Sequence, residues 1–252
     1  MAILAKYVDV YPNNNFEKIH EESFVWHNFL SQDELNEIMD QIKIAEDQSV
    51  LIKENAEFLL KYQSRLESSL IGDGWRYFKP LNRFHSRRNN NYMPFHIDLP
   101  NTAHKQIYAI EKSNNTGNTR ITLPTFALII YFNDNYDGGE LCYPEHDIVY
   151  KPKAGDLVIH YAETIHGTSP VKNGTKYTHS TSMDTEYFID INNVDEESYV
   201  KSANGVDGYD DYSQIYLKSE NKRVQEFQSK YPTHFTFSNG LVFPIQYTEN
   251  FL

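Results

Sequence analysis

"HGTSPVKNGTKY", residues 166–177, packs a histidine, a Pro-Val step, an Asn-Gly pair and a lysine into one short stretch. Asn173-Gly174 is a strong signal for a two-residue hairpin, a turn whose central residues take positive φ. On that reading Lys176 opens a strand that runs back beside the one carrying His166, with Val171 as its approximate partner. The stretch therefore reads as β-structure, and its surroundings agree. From about residue 76 to 190 the chain is a series of short β-prone runs, among them "YMPFHID", "FALIIYFN", "ELCYP", "DIVYKP", "DLVIHYA" and "KYTHSTSM". The segments between them, "NDNYDGGE", "KPKAGD" and "KNGT", carry the Asn, Asp, Gly and Pro that turns require. Many strands at short, regular spacing predict a β-sandwich or barrel.

The flanks differ in texture. In "SFVWHNFLSQDELNEIMDQIKIAEDQ", Ser31 and Glu34 form a capping box, and Leu35, Ile38, Met39 and Ile42 recur at helical spacing. A second helix is expected over "NAEFLLKYQSRLESSL", ending before Gly72-Asp73-Gly74. Both are read as buttresses of a sheet. Residues 99–119 form a long polar insert, a lid or plain surface. After an acidic segment, "YSQIYLKSENKRVQEFQSKY" is expected to be helical, followed by the apolar piece "GLVFPIQY". The predicted organisation is one domain over 1–252, with helical support in 1–75, a β core in 76–190 and an extension in 191–252.

Composition narrows the function classes. The 252 residues are 40% apolar and 14% aromatic, enough for a substantial core. A net charge of −12 disfavours nucleic-acid binding, because phosphate backbones attract basic faces. Cys142 is the only cysteine, so a metal site would have to use His and carboxylate ligands. No stretch reaches membrane-spanning length, and the expected location is cytoplasmic.

His96-Ile97-Asp98 supplies such ligands, since strand residues i and i+2 face the same side. By itself the pair is more often a hydrogen-bonded couple than a metal site. His166 would complete two histidines and one carboxylate, the set favoured by non-haem Fe(II) oxygenases with positions left open. Zn and Mn accept the same donors. Five strand residues separate Val171 from His166, roughly 16 Å at about 3.3 Å per residue. The Lys176 side chain and a short dicarboxylate would span that gap from metal to ammonium; a solvated lysine beside a turn is the plain alternative. Arg83, Arg87 and Arg88 are either groove or surface residues. His85, His104, His146, His160 and His179 lack a partner at ligand spacing, and His160, within an apolar strand, is read as buried and hydrogen-bonded.

Taken in order, these motifs resemble the 2-oxoglutarate- and Fe(II)-dependent dioxygenases, most of all their prolyl 4-hydroxylase branch. The resemblance rests on "HID" at 96–98, "YFN" at 131–133, "GGE" at 138–140, "KPKAGDLVIH" at 151–160 and "HGTSPVKNGTKY" at 166–177. "SFVWHNFLSQDELNEIM" is similar to that branch's first strand and helix, so the match covers roughly residues 22–185. Two positions depart from the pattern: Phe84 stands where a tyrosine is frequent, and Ala127 where a threonine is common.

The resemblance implies a double-stranded β-helix (jelly roll), with N-terminal helices on one sheet and a partly helical C-terminal extension. It implies Fe(II) on His96, Asp98 and His166, and 2-oxoglutarate held at its distal carboxylate by Lys176 and Tyr131, with Tyr92 close enough to replace the missing tyrosine. O2 is the second cosubstrate and ascorbate a candidate reductant. The implied reaction is hydroxylation of peptidyl-proline with release of succinate and CO2. A free amino acid or other small molecule is the alternative substrate, and a non-catalytic jelly-roll binding module the alternative class.

Overall fold

The computed structural model describes residues 3–6, 11–47, 65–66, 70–71, 77–87, 91–98, 110–111, 118–190, 199–202, 214–217, 225–231 and 233–245. The first strands are β1 (Ile3–Lys6), β2 (Tyr11–Pro12), β3 (Glu17–His20), β4 (Ser23–Trp26), β5 (Leu70–Ile71), β6 (Tyr77–Arg87) and β7 (Met93–His96). β8 (Ile110–Glu111), β9 (Asn118–Tyr131), β10 (Asp137–Gly138), β11 (Leu141–Tyr143), β12 (Ile148–Tyr150) and β13 (Leu157–Tyr161) follow. The last are β14 (His166–Thr168), β15 (Val171–Asn173), β16 (Lys176–Asp190), β17 (Tyr199–Ser202), β18 (Gln214–Leu217), β19 (His234–Thr236) and β20 (Val242–Pro244). Helix α1 spans Gln32–Asp47. Among the described residues no helix is long and apolar enough to cross a membrane.

Two sheets carry the core. The larger has the order β1-β16-β9-β13-β4-β3, with β6 on β16 and β8 on β9; the smaller has the order β12-β11-β14-β7. The period-two alternation of their strands assigns each face. Val25, Tyr131 and Val158 of the large sheet pack against Leu141 and Tyr143 of the small one, so these side chains fill the interior between the sheets. The alternate residues Phe126, Leu128, Ile130, Leu157 and Ile159 point the other way and meet Leu35, Ile38 and Ile42 of α1. The result is the expected jelly roll with a helix on the outer face of its large sheet. The capping box forms as predicted: Ser31 N–H donates to Glu34 Oε2 at 2.8 Å, and Glu34 N–H donates to Ser31 Oγ at 3.3 Å. The second predicted helix lies mostly outside the described residues, with only 65–66 helical among them.

The outer face of the small sheet is covered by the C-terminal extension, which the sequence did not place. Phe95, Ile97 and Cys142 pack with Phe237, Phe243 and Ile245. Phe95 and Phe243 stack at 3.9 Å. Gly167 is required beneath this stack, because a Cβ there would lie 2.9 Å from both Phe243 and Phe95. The residue beside His166 is thus pinned from outside.

Two expectations are corrected. Residues 214–217 are the strand β18, paired with β17, and among the described residues of that stretch the helix covers 225–230, with 218–224 outside them. "QIYL" carries a β-branched and an aromatic residue, which favour a strand over a helix. The hairpin at Asn173-Gly174 is also absent: β14 pairs with β11 and β7, β15 with β10, and β16 with β6, β9 and β1. Gly174 has a φ of 78°, but Asn173 is not at positive φ, so the tight hairpin turn does not form. Asn133 redirects the chain instead. Its side chain accepts from Tyr177 N–H at 2.8 Å and donates to Thr175 O at 2.7 Å. The stretch therefore crosses from the small sheet to the large one.

Of the insert at 99–119, Ile110–Glu111 pairs with Ile121 and Arg120 of β9, and 118–119 begin β9 itself. Residues 99–109 and 112–117 lie outside the described residues.

Candidate metal and cosubstrate site

Pairing of β14 with β7 sets His166 directly opposite His96, and their rings lie 4.3 Å apart. Asp98, just past the end of β7, is tied by its N–H to Ala162 O at 2.8 Å in the turn after β13. The three side chains therefore arrive from different elements, and their ligand atoms lie within 4.8 Å of one another. His96 Nε2 is 3.6 Å from Asp98 Oδ1, and His166 Nε2 is 3.4 Å from Asp98 Oδ2.

Proton placement follows from the other ring nitrogens. His96 Nδ1 lies 2.8 Å from Pro94 O, and His166 Nδ1 lies 3.0 Å from Thr164 O. A carbonyl only accepts, so both Nδ1 atoms carry the proton and both neutral rings present an Nε2 lone pair. Burial first, then the neighbouring His160 and His96, push His166 well below the ordinary histidine range. Burial works against the charge on Asp98, yet attraction to His166 in its protonated form and hydrogen bonds from His160 and His96 hold its carboxyl well below the usual carboxylate range. Once His96 and His166 are neutral, His160 is the donor that remains. Lone pairs from two neutral imidazoles facing a carboxylate repel unless a cation sits among them. Adjacent ligands at about 2.1 Å from a six-coordinate ion lie about 3.0 Å apart, close to the spacing seen. The donor set fits Fe(II).

Lys176 and Tyr131 form a second group. Lys176 is 1% exposed; its Nζ donates to Gly139 O at 2.8 Å and lies 5.0 Å from the centre of the Tyr131 ring. The Gly138-Gly139 turn makes this contact available. Gly138 has a φ of 73°, and a Cβ on it would come within 2.0 Å of Pro170 O. Gly139 N–H donates to that same carbonyl at 3.2 Å. Tyr131 is fixed by its backbone, which accepts from Gly155 N–H at 2.8 Å and donates to Asp156 O at 3.0 Å. Tyr92 packs edge-on against Phe243 at 6.1 Å, and its hydroxyl is buried with no hydrogen-bond partner among the described residues. Arg83 and Arg87 lie in β6, and Arg88 lies outside the described residues.

One neighbour of the site escaped the sequence reading. His160 Nε2 sits 3.2 Å from Asp98 Oδ2. Its histidine was legible as buried, but its direction needed the alternation of β13: Val158 faces the interior, and His160 is two residues on.

Residues 82–181 match the sequence model of the 2OG-Fe(II) oxygenase superfamily. The superfamily named by that model implies Fe(II), 2-oxoglutarate and O2 as cofactors. A PKHD-type hydroxylase from Crocosphaera subtropica is 31% identical over 93 residues, covering 33% of this chain and 42% of that protein. The chain thus spans less than half the length of this relative. Among solved structures, the viral collagen prolyl hydroxylase of Paramecium Bursaria Chlorella virus-1, in its 2OG complex, aligns with a TM-score of 0.45 and 17% identity, over 66% of this chain and 97% of that one. A Pseudomonas putida prolyl-4-hydroxylase aligns with a TM-score of 0.42 and 13% identity, over 67% and 88% of the two chains.

A histidine outside this site has a consequence for stability. His20 is 7% exposed, stacked at 4.0 Å on His146 and edge-on at 4.3 Å to Tyr143. Burial, then His146, His160 and Lys18, lower its pKa to about 3. The unfolded chain takes up this proton near pH 6.5 while the folded chain does not. Stability is therefore complete above that pH and is lost progressively as pH falls towards 3, by a few kcal/mol. Thermal melts from pH 8 to 5 are expected to show a steeper loss for the native chain than for His20→Gln; parallel curves would reject the assignment.

Proposed function

We propose that the chain hydroxylates peptidyl-proline, with His96, Asp98 and His166 as the ligands of Fe(II). The observation that carries this reading is the convergence of two Nε2 lone pairs and an ionised carboxylate, each imidazole fixed in tautomer by a backbone carbonyl. Bound Fe(II), with 2-oxoglutarate and O2, supplies the oxidising power that inserts one oxygen atom into an unactivated C–H, the other going into succinate as CO2 is released. Lys176 and Tyr131 hold the distal carboxylate, the ammonium through a charge-assisted hydrogen bond and the phenol through its hydroxyl. Tyr92 is left out of this pair, because its ring packs with Phe243 in the cluster on the outer face of the small sheet. His166, Lys176 and Tyr131 are buried, while the His96 and Asp98 side chains are 29% and 33% exposed, so a substrate would approach and cover the centre from their side. Similarity of the ordered motifs to the prolyl 4-hydroxylase branch supports proline as the target, and the net charge of −12 suits a peptide better than a nucleic acid.

Incubation with Fe(II), 2-oxoglutarate and O2 while following succinate tests the proposal. Succinate is expected to rise on addition of proline-containing peptides, with a mass gain of about 16 Da on the peptide, one oxygen atom. Stimulation by free amino acids but not by peptides would replace the substrate. No succinate under any condition would remove the enzymatic reading.

A further inference from the structure

We propose that His160 is a positioning residue that donates its Nε2–H to Asp98 and so keeps one carboxylate oxygen from the metal. The inference rests on Asp98 being a ligand together with His96 and His166. Three imidazoles surround this carboxylate, and His160 makes its shortest contact, 3.2 Å to Oδ2. The His160 ring lies 4.0 Å from that of His166, yet its nitrogen is not one of the three convergent ligand atoms.

A buried chain behind His160 sets its tautomer. Its Nδ1 is 3.4 Å from Tyr143 Oη, which lies 2.6 Å from Ser23 Oγ, which in turn lies 3.4 Å from Ile159 O. Ser23, Tyr143 and His160 are all fully buried, so each proton must be shared within the chain. An ionised carboxylate only accepts, which places the proton of His160 on Nε2. Nδ1 is then an acceptor for the Tyr143 hydroxyl. Ser23 donates in turn to Tyr143, using its one proton in the shorter of its two contacts. This order leaves every donor aimed at an acceptor.

Room for the imidazole comes from Ala127. It is the β9 residue paired with His160 and is itself buried. A larger side chain at Ala127 would compete for the same interior space, so the two positions are read as one compensating pair.

The functional consequence concerns open positions. A carboxylate free to turn can offer both oxygens to a metal and occupy a place that 2-oxoglutarate needs. With Oδ2 held by His160, one oxygen remains for the metal. His160 acts on cosubstrate binding through Asp98, not by touching the reactants.

The test uses the whole chain with Mn(II) as probe metal and 2-oxoglutarate as probe ligand, by calorimetric titration. Anaerobic Fe(II) with 2-oxoglutarate provides the charge-transfer absorption as a second readout. His160→Leu is expected to keep Mn(II) binding within about ten-fold of the native chain, the freed second oxygen of Asp98 offsetting the lost orientation, but to bind 2-oxoglutarate well over about ten-fold more weakly, with a weakened absorption band. His160→Gln, which keeps an N–H at a similar reach, is expected to restore both. Tyr143→Phe, which frees the tautomer, should fall between them and serves if His160→Leu does not fold. Native 2-oxoglutarate affinity in His160→Leu or Tyr143→Phe overturns the proposal. Loss of Mn(II) in His160→Leu also overturns it, because His160 would then be a ligand. Failure of the triad itself is read separately, from His166→Ala retaining native Mn(II) affinity.

Discussion

His166→Ala is expected to abolish metal binding while leaving the chain folded. Even residues that only orient a ligand cost 10- to 100-fold in metal affinity when removed. Loss of one of three direct donors should therefore exceed about 100-fold, enough to leave the site empty at micromolar metal. Folding should survive for a local reason. His166 is neutral in the folded state, so the substitution strands no buried charge and removes only packing against the rings of His96 and His160. Small residues are tolerated in β14, where Gly167 already yields to the Phe95–Phe243 stack. Calorimetry with Fe(II) or Mn(II) measures the effect, alongside a melt with and without metal. The native chain should melt higher when metal is added and the variant should not, since a ligand stabilises only what it binds. Unchanged affinity would reject His166 as a ligand.

Which parts of this site were readable depends on the range of the forces that place them. The capping box of α1 is a contact between Ser31 and Glu34, and the apolar stripe at Leu35, Ile38 and Ile42 follows from helical period alone. Both were therefore visible in a window of a few residues. His96 and Asp98 were readable for the same reason, being two apart. The course of residues 173–177 was not, because a local turn rule competes there with a distant side chain. Asn133 captures Thr175 and Tyr177, and that outweighs the preference of Asn-Gly for a hairpin. The fate of "QIYL" was lost to a helical expectation laid over too long a window, although its composition already favoured a strand.

His160 lies between these cases. Its strand was assigned correctly, but the decisive information was which of two faces it takes, and that depends on α1 covering Leu157 and Ile159. Ala127, noted as a departure from the usual pattern, was half of the signal. A small residue in an interior strand invites the question of what fills the space beside it. Departures from a family pattern are best read in pairs across neighbouring strands, where one change can be the structural reason for another.

Lys176→Met should separate cosubstrate binding from stability. Methionine has nearly the length of lysine and no charge, so it can follow the same path between Gly139 and Tyr131. On the function side the loss is large. A buried carboxylate deprived of its ammonium partner costs about 3–5 kcal/mol, which corresponds to a weakening of 2-oxoglutarate by 100-fold or more. On the stability side two effects oppose each other. Gly139 O loses its donor, at a cost of about 1–3 kcal/mol. Against this, an ammonium that is 1% exposed no longer has to be desolvated on folding, a relief of several kcal/mol. The second effect is the larger, so the variant without cosubstrate should melt no lower than the native chain. With Mn(II) present, 2-oxoglutarate at 100 times its native Kd should stabilise the native chain by about 2.7 kcal/mol and the variant by almost nothing. A variant that keeps the native shift would show that the distal carboxylate is held elsewhere. A variant that loses both the shift and its fold would place Lys176 in the structural core. Only retention of the fold with loss of the shift matches a lysine buried for the sake of its ligand.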